Sequence, residues 1–305
     1  MEARRATVTS RSVPRITVGV PVYNGGRFLA WTLDSLLNQT IRDFVVLVGD
    51  NASTDQTPAI AQAYAARDHR VRYVRHPRNL GAAANYSRLC DMAETEFFRW
   101  SAADDCAEPR FLEACLEGLE RDPQAVLVYP RIMTIDAEGQ PLGEYEEGLH
   151  LPHARPSDRF FTLLQNIRLC NALYGLGRTE AFRRTRLLGS YLGSDIVFQA
   201  ELSLYGKILE VPETLLLRRM HADSFTSMTL AQQREFYSPG RRQRVEMYRW
   251  RHLAEHIRSI VRAPISVTER GRLLAGLARR AVWGRDVFLK EIISAARTLV
   301  ARSGT

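Results

Sequence analysis

The chain has 305 residues, of which 45% are hydrophobic and 25% charged, and its formal net charge is +8. This composition is typical of a globular protein with a buried core and excludes a disordered or fibrous chain. The longest apolar runs are far shorter than the about 20 residues of a membrane-spanning helix, so none is predicted. Residues 1–14 contain arginines without the apolar stretch of a secretory signal. They are predicted to form a flexible basic arm on a cytoplasmic protein.

The positive charge is concentrated in the last quarter of the chain. Residues 229–305 contain 16 Lys and Arg against 6 Asp and Glu, whereas residues 1–228 are nearly balanced. A basic patch of this kind attracts phosphates in nucleic acid, in anionic lipid head groups or in a pyrophosphate-bearing substrate. The charge alone does not indicate which of these three partners binds. No helix-turn-helix or RNA-binding signature accompanies it, so nucleic acid is the least favoured partner.

The four cysteines are far apart and form no C-x-x-C pair; they are Cys90, Cys106, Cys115 and Cys170. This spacing predicts reduced thiols that act as small core residues. It disfavours both a disulfide framework and a zinc site.

From residue 16 to residue 128 the chain alternates short β-branched runs with longer helical patterns. The predicted strands are Ile16 to Val20, Phe44 to Gly49, Val71 to Val74 and Phe97 to Ser101. The predicted helices are Arg27 to Asn38, Thr57 to Arg67, Ala82 to Ala93 and Pro109 to Arg121. In the last of these, the proline is expected at the first helical position. Repeated strand–helix units need right-handed crossovers and predict a largely parallel α/β sheet with covered faces.

The pattern after this first half predicts a mixed sheet. Val126 to Leu142 has the pattern of two strands joined by a turn at residues 136–139. Further predicted elements are a helix from Ser157 to Ile167, an apolar segment from Asn171 to Leu176, a helix from Asp195 to Tyr205, and strands from Ile208 to Val211 and from Thr214 to Arg219. These elements are expected to extend the same domain, which would cover residues 15–228.

Residues 229–305 are predicted to form a basic, amphipathic helical extension. Apolar residues recur at helical spacing from Trp250 to Val261 and again from Leu289 to Val300, with arginines on the other face. The plainer interpretation is two helices that pack on the α/β domain. The alternative is a surface for a partner or for an anionic membrane, which would place the protein peripherally at the inner face of that membrane.

The loop after the first predicted strand lacks both common phosphate-binding signatures. The segment from Pro21 to Gly26 contains neither G-x-G-x-x-G nor G-x-x-x-x-G-K-[ST]. A divalent metal is the expected substitute, and carboxylates at strand ends would bind it. Asp50 follows the second strand, and Asp104 and Asp105 follow the fourth. Because ligands of parallel sheets bind at the carboxyl ends of the strands, these acids can face one crevice.

Each of these acids also has an ordinary structural explanation. Asp50 or Asp55 alone is more often a turn former or a helix cap. Asp104 and Asp105 alone are explained as loop acids, although two adjacent carboxylates repel each other unless solvent or a cation neutralises them. Taken together, the acids favour a metal site.

Four motifs in chain order resemble the inverting glycosyltransferases of family 2, which have the GT-A fold. Pro21 to Asn24 is similar to the family's P-x-Y-N, and Asp50 to Asp55 to its D-[DN]-x-S-x-D. Arg78 to Asn85 is similar to R-N-x-G-x-x-x-N, and Trp100 to Leu112 to W-x-x-x-D-D-x-x-x-P-x-x-L. The resemblance implies an α/β protein of GT-A type, with a mostly parallel mixed sheet flanked by helices and with the C-terminal helical extension added to it.

The resemblance also implies roles for individual residues. The implied nucleotide or donor-binding residues are Pro21, Tyr23, Asn24, Asp50, Asn79, Gly81, Asn85, Asp104 and His221. Among them, Asp50 would contact the base and His221 would lie near the diphosphate. Asp105, together with Asp104, would bind a divalent ion, Mn²⁺ or Mg²⁺, that bridges the diphosphate. Asp195 would be the catalytic general base.

Two positions depart from the common family pattern. Ala102 stands where the D-x-D-D form has an acid, so it stays open whether Asp104 or Asp105 is the main metal ligand. Ser194 replaces the acid that usually precedes the base. The Q-x-x-R-W motif of processive synthases is absent, which favours the addition of a single sugar.

The expected function is therefore transfer of one sugar from a nucleotide-diphosphate sugar to an acceptor hydroxyl, in glycan, cell-surface polysaccharide or glycoconjugate biosynthesis. A nucleotidyltransferase is one alternative, but it would show a loop rich in Gly and basic residues after the first strand. A non-catalytic nucleotide-sugar-binding or scaffold protein is the other, and the retained acids Asp104, Asp105 and Asp195 speak against it. The sequence does not identify the sugar, the base, the acceptor or the oligomeric state.

Overall fold

A computed structural model describes residues 14–240 and 247–303, with side chains to residue 297. Residues 1–13 of the predicted basic arm lie outside this described part.

In the described residues one mixed sheet of nine strands forms the centre of the molecule. The strands are β1 Ile16–Val22, β2 Phe44–Asp50, β3 Val71–Arg75, β4 Phe97–Trp100, β5 Cys106–Ala107, β6 Ala125–Ile135, β7 Pro141–Tyr145, β8 Leu176–Arg178 and β9 Lys207–Arg219. Their order is β3-β2-β1-β4-β8-β6-β9-β5, with β7 beside β6. The first four strands are parallel, and β8 runs antiparallel to both β4 and β6. The predicted α/β class with a mixed, mostly parallel sheet is confirmed.

Helices cover both faces of the sheet. They are α1 Leu29–Leu37, α2 Thr57–Arg67, α3 Ala82–Asp91, α4 Phe111–Arg121, α5 Pro156–Asn166, α6 Thr179–Arg184, α7 Ser194–Tyr205, α8 Leu230–Tyr237, α9 Tyr248–Arg262, α10 Val267–Trp283 and α11 Arg285–Ser303. One hydrophobic cluster joins the sheet to α1, α2 and α4. The other joins its opposite face to α3, α5, α6, α7, α9 and α10. Burial on both faces explains why β1 and β2 are continuous apolar runs.

The four strands and four helices predicted from residue 16 to residue 121 agree with the structure to within two residues at each end, whereas the two-residue strand β5 was not predicted. One detail was wrong, because Pro109 precedes α4 by two residues and Arg110 is the N-cap. Further along, the two strands expected from Ile208 to Arg219 form the single strand β9, whose register with β6 shifts near Pro130 and Arg131. The short elements β8 and α6 were not predicted.

In the described residues after 229 the structure has four helices, α8 to α11, in place of the two that were predicted. Ile260, Leu273 and Leu277 on α9 and α10 are buried in the same cluster as the sheet residue Trp100, so these two helices pack on the α/β layers. The stripe predicted for α9 was partly wrong, since Val261 is 58% exposed. Besides Ile260, its buried face contains Ser259, whose hydroxyl donates to Glu201 of α7 at 3.2 Å. No described helix is long and apolar enough to cross a membrane.

Candidate active site

The loops after β1 and β2 are bound to each other by hydrogen bonds. The backbone N–H of Asn24 donates to Ser53 Oγ at 2.9 Å, and Asn24 Oδ1 accepts from the backbone N–H of Thr54 at 2.8 Å. Asn24 has a positive φ of 51°, which asparagine tolerates better than most residues. Pro21 lies in buried β1, whereas the ring of Tyr23 is half-exposed beside the loop. The first two motifs therefore build one rigid rim of the crevice.

Asp50 is fully buried, and both of its oxygens are engaged. Oδ1 accepts from the backbone N–H of Ser53 at 2.8 Å. Oδ2 accepts from Tyr73 Oη at 2.6 Å and from Arg75 Nη1 at 2.8 Å. In this arrangement Asp50 stabilises the loop and orients Arg75, and its predicted contact with a nucleotide base stays a prediction.

The third motif shapes the neighbouring loop. Asn79 Oδ1 accepts from Asn51 Nδ2 and from the backbone N–H of Gly81, both at 2.8 Å. Gly81 has φ 85° and ψ 158°, and a Cβ there would lie 2.7 Å from the carbonyl oxygen of Tyr237. This glycine thus permits a close approach between the motif and the end of α8.

Asn85 is buried beneath these loops. Its Nδ2 donates to the carbonyl oxygen of Gly49 at 2.7 Å, and its Oδ1 lies 2.9 Å from His76 Nε2. The side chain is thus used to hold the end of β2. Asn85 therefore does not lie at the open crevice beside Tyr23, although the family resemblance implies donor binding for both residues.

The acidic pair after β4 lies against the end of β9. Asp104 Oδ2 is 3.0 Å from His221 Nε2, and Asp105 Oδ1 accepts from the backbone N–H of Arg219 at 2.8 Å. Asp104 is partly exposed, whereas Asp105 is buried. Burial, followed by the charge of Asp104, raises the pKa of Asp105 to about 7. A cation beside the pair would lower the free-energy cost of ionising the buried carboxyl of Asp105.

Arg219 holds the acidic loop in place. Its Nε donates to the carbonyl oxygen of Asp104 at 2.9 Å, and its Nη1 donates to the carbonyl oxygens of Asp136 and Ala137. Its guanidinium lies 4.6 Å from the centroid of the Trp31 ring. Arg219 had no predicted role, although it stands two residues before the predicted donor-binding residue His221.

The donor chemistry of this pair fits a metal that is shared with a phosphate. The described residues contain no group of three or more His, Cys, Asp or Glu able to hold a metal ion by themselves. Mg²⁺ and similar hard ions are usually bound by one or two carboxylates together with substrate phosphates and waters, and two adjacent carboxylates meet that need. Asp104 and Asp105 therefore fit a site that a diphosphate would complete.

Asp195 lies in the first turn of α7. The helix begins at Ser194 and its N-cap is Gly193, one residue earlier than predicted, so helix capping does not explain Asp195. Asp195 Oδ1 accepts from the backbone N–H of Ile196 at 3.0 Å, and the Cys170 thiol is close enough to lower the pKa of the carboxyl. Burial raises the pKa of Asp195, and these two donors oppose the rise. Cys170, at φ 58°, is a site residue that no sequence signal indicated.

Tyr86 connects the two acidic groups. Its hydroxyl lies 3.4 Å from that of Tyr174. Burial raises the pKa of Tyr86, and the charges of Asp104, Asp105 and Asp195 each raise it further. The charges of all three carboxylates therefore raise the pKa of one phenol, although Asp195 lies 90 residues after Asp105 in the sequence. Sequence reasoning missed Tyr86, because one tyrosine on a helix has no distinctive spacing.

Solved structures with the same architecture are GT-A glycosyltransferases. One is TarS 1–349 of S. aureus in complex with UDP-GlcNAc, with a TM-score of 0.64 and 17% identity over 88% of this chain and 72% of that one. Another is the mannosyltransferase PcManGT of Pyrobaculum calidifontis in complex with GDP-Man and Mn²⁺, with a TM-score of 0.56 and 18% identity over 96% of this chain and 76% of that one. The chain has the GT-A fold, as predicted.

The model of glycosyl transferase family 2 matches residues 17–186, more than half of the chain, which therefore belongs to this family. The chain is 33% identical to a chondroitin synthase of Escherichia coli over 135 residues, 44% of this chain and 19% of the synthase. It is 22% identical to an uncharacterized glycosyltransferase of Haemophilus influenzae over 247 residues, 77% of this chain and 74% of that protein. The chain spans less than half the length of the first curated relatives it matches.

Proposed function

We propose that the chain transfers a single sugar from a nucleotide-diphosphate sugar to an acceptor hydroxyl, with inversion, in the biosynthesis of a glycan, cell-surface polysaccharide or glycoconjugate. The observation that carries this proposal is the acidic pair Asp104 and Asp105, which His221 and the backbone N–H of Arg219 hold at the carboxyl end of β4 in a chain of glycosyl transferase family 2. The solved neighbours support the donor class, since they are complexes with UDP-GlcNAc and with GDP-Man.

In this proposal Asp195 is the general base. Its carboxylate accepts the proton of the acceptor hydroxyl while the hydroxyl oxygen attacks the anomeric carbon, and one displacement inverts that carbon. A positioned base contributes a factor of about 10² to 10⁴ in rate, and it works best when its pKa is near the operating pH. The upward shift of the Asp195 pKa is therefore in the useful direction.

Asp104 and Asp105 would hold Mn²⁺ or Mg²⁺. When bound, the ion neutralises charge that develops on the departing diphosphate. The protein's part is to keep the two carboxylates in place. His221 Nε2, 3.0 Å from Asp104 Oδ2, orients one, and the backbone N–H of Arg219 orients the other.

The decisive experiment separates catalysis from donor binding. Candidate donors, UDP-GlcNAc and GDP-Man among them, are first screened with Mn²⁺ by thermal shift, and the donor that stabilises the protein is used for transfer. Asp195→Asn should lower kcat by about 10² to 10⁴ and leave donor binding nearly unchanged.

Asp158→Asn is a matched control, since Asp158 also lies in the first turn of a helix, α5. It should keep wild-type kcat. If Asp195→Asn behaves like this control, the base is elsewhere, and Asp223 is the next acid to test. Nuclear magnetic resonance of the fresh product gives its anomeric configuration, and retention would contradict the single displacement.

We also propose that the C-terminal helices contact an anionic membrane. Several apolar side chains near the α10–α11 junction are exposed, among them Trp283 at 77%, Val282 at 58% and Leu289 at 52%. They lie in the segment that has ten more basic than acidic residues, which complements anionic head groups. The predicted cytoplasmic, peripheral location follows this proposal and stays a prediction.

Vesicle sedimentation tests the membrane contact. Binding to phosphatidylglycerol vesicles should exceed binding to phosphatidylcholine vesicles and should fall with salt. Trp283→Ser should weaken it, whereas Leu142→Ser, at a 61% exposed leucine on β7, should not. If the two variants bind equally, or if Trp283→Ser only dissociates an oligomer in ultracentrifugation, the exposed face is not a membrane contact.

A further inference from the structure

A cavity of about 470 Å³ lies between the loop before α7, the end of α8 and the first turns of α9. The proposed catalytic mechanism gives this cavity no role. Its aromatic lining consists of Tyr191, Tyr237, Tyr248, Trp250 and His252. A volume of this size is in the range of small-molecule sites, about 300 to 1,000 Å³.

The cavity adjoins the predicted base. Gly193, the N-cap of α7, has φ 76°, and a Cβ there would lie 2.7 Å from Tyr248 Oη and 2.6 Å from His252 Cε1. His252 Nε2 donates to the carbonyl oxygen of Leu192 at 3.0 Å. Burial and then the charge of Asp195 raise the pKa of Tyr248. The wall that α9 contributes is therefore in direct contact with the turn that carries Asp195.

The side chains that line the cavity indicate which class of ligand it would bind. Flat aromatic rings with polar tips suit an amphipathic, ring-shaped molecule. The lining also includes two arginines, Arg234 and Arg251, and among its described residues none is acidic. The guanidinium of Arg251 lies 4.2 Å from the centroid of the Tyr191 ring, so it is held at the wall. Arginine in such a setting is suited to bind carboxylate or phosphate oxygens in pairs.

We propose that this cavity is the acceptor subsite, and that the acceptor is an acidic sugar whose carboxylate or phosphate binds at Arg251 while its hydroxyl reaches Asp195. This inference rests on the proposed function. In the transfer step the hydroxyl proton goes to Asp195 and the hydroxyl oxygen bonds to the anomeric carbon. The bond from that carbon to the diphosphate breaks, and its electron pair leaves with the diphosphate. The helical extension would thus help to select the acceptor.

Three matched probes test the proposal: p-nitrophenyl β-glucoside, its 6-phosphate, and p-nitrophenyl β-glucuronide. Binding of each probe to the full chain is measured by ligand-observed magnetic resonance with no donor present, and acceptor KM is measured where transfer occurs. One or both acidic probes should bind at least about tenfold tighter than the neutral one, because a hydrogen bond to a charged group contributes that much or more. Which acidic probe binds tighter tells carboxylate from phosphate.

Arg251→Gln should remove this preference. Arg249→Gln, which removes an equal charge two residues away on the same helix but outside the cavity lining, should keep it. If Arg251→Gln does not fold, Arg251→Lys keeps the charge without the planar fork and should show a partial loss. Equal binding of all three probes, or equal behaviour of the Arg249 and Arg251 variants, would overturn the proposal. Wild-type protein that binds the acidic probes but transfers no sugar from any donor would instead contradict the proposed function alone.

Discussion

Replacing Gly81 with alanine should destabilise the protein strongly, because two separate costs add. The backbone of Gly81, at φ 85° and ψ 158°, is in a region that is essentially restricted to glycine, and another residue there costs about 1 to 3 kcal/mol. The new Cβ would also lie 2.7 Å from the carbonyl oxygen of Tyr237 and 2.8 Å from Pro239 Cδ. Moving that segment away should cost a further amount of about 1 to 3 kcal/mol, as for other overpacked sites.

The expected loss for Gly81→Ala is therefore about 2 to 6 kcal/mol, a large part of the about 5 to 15 kcal/mol by which a typical domain is stable. Gly148→Ala is the matched control. Gly148 also has a positive φ, 69°, but its Cβ would meet no atom within 4 Å, so only backbone strain of about 1 to 2 kcal/mol applies. Urea unfolding measures the loss of stability of both variants, and the comparison requires that their m values be similar. If Gly81→Ala costs no more than the control, the contact with the end of α8 does not stabilise the fold.

Three further predictions concern the candidate site and the buried residue Asn85 beneath its loops. The kcat of the wild type should rise with pH through the raised pKa of Asp195, since the base must be ionised. Cys170→Ala removes the thiol that lowers this pKa, so the rise in kcat should move to higher pH. Cys170→Ser keeps a donor at this position and should not move the profile. His221→Ala should weaken Mn²⁺ affinity by about 10- to 100-fold in thermal shifts with UDP, because Asp104 loses the group that orients it. Asn85→Ala should lower the free energy of unfolding by about 2 to 4 kcal/mol in urea, since two buried partners lose their hydrogen bonds.

The helices and strands of the first half could be predicted because each apolar run faces a layer that buries it. The helix α10 was missed for a physical reason. Gly276 lowers the helix propensity of its segment, yet a Cβ there would lie 2.3 Å from Phe161 Cζ, so close packing on α5 favours glycine. Strand β8 has only three residues, too few to show a period. Tertiary contacts decide such elements, and local sequence does not show them.

The candidate site also contains some features that could be predicted from the sequence and others that could not. Asp104 and Asp105 were predictable, since acids at the end of a parallel strand face the ligand crevice. The donor contacts expected of Asn85 and Asp50 stay predictions, and the buried hydrogen bonds by which both hold loops could not be told from the motif spacing. The aromatic cavity was not predictable, because its walls come from three segments that only the packing of α9 on α7 brings together.

The carboxylates of Asp105 and Asp195 differ in environment, and this difference supports the tasks that we propose for them. Asp105 is buried beside the like charge of Asp104 and accepts one backbone N–H, so its pKa is near neutral and a bound cation would keep it ionised. Asp195 has a backbone N–H and a thiol as donors, and it lies in the first turn of a helix, where the dipole favours negative charge. These groups oppose the upward shift that burial gives the pKa of Asp195. Losing a carboxylate of the pair should weaken donor binding, whereas losing that of Asp195 should slow only the transfer.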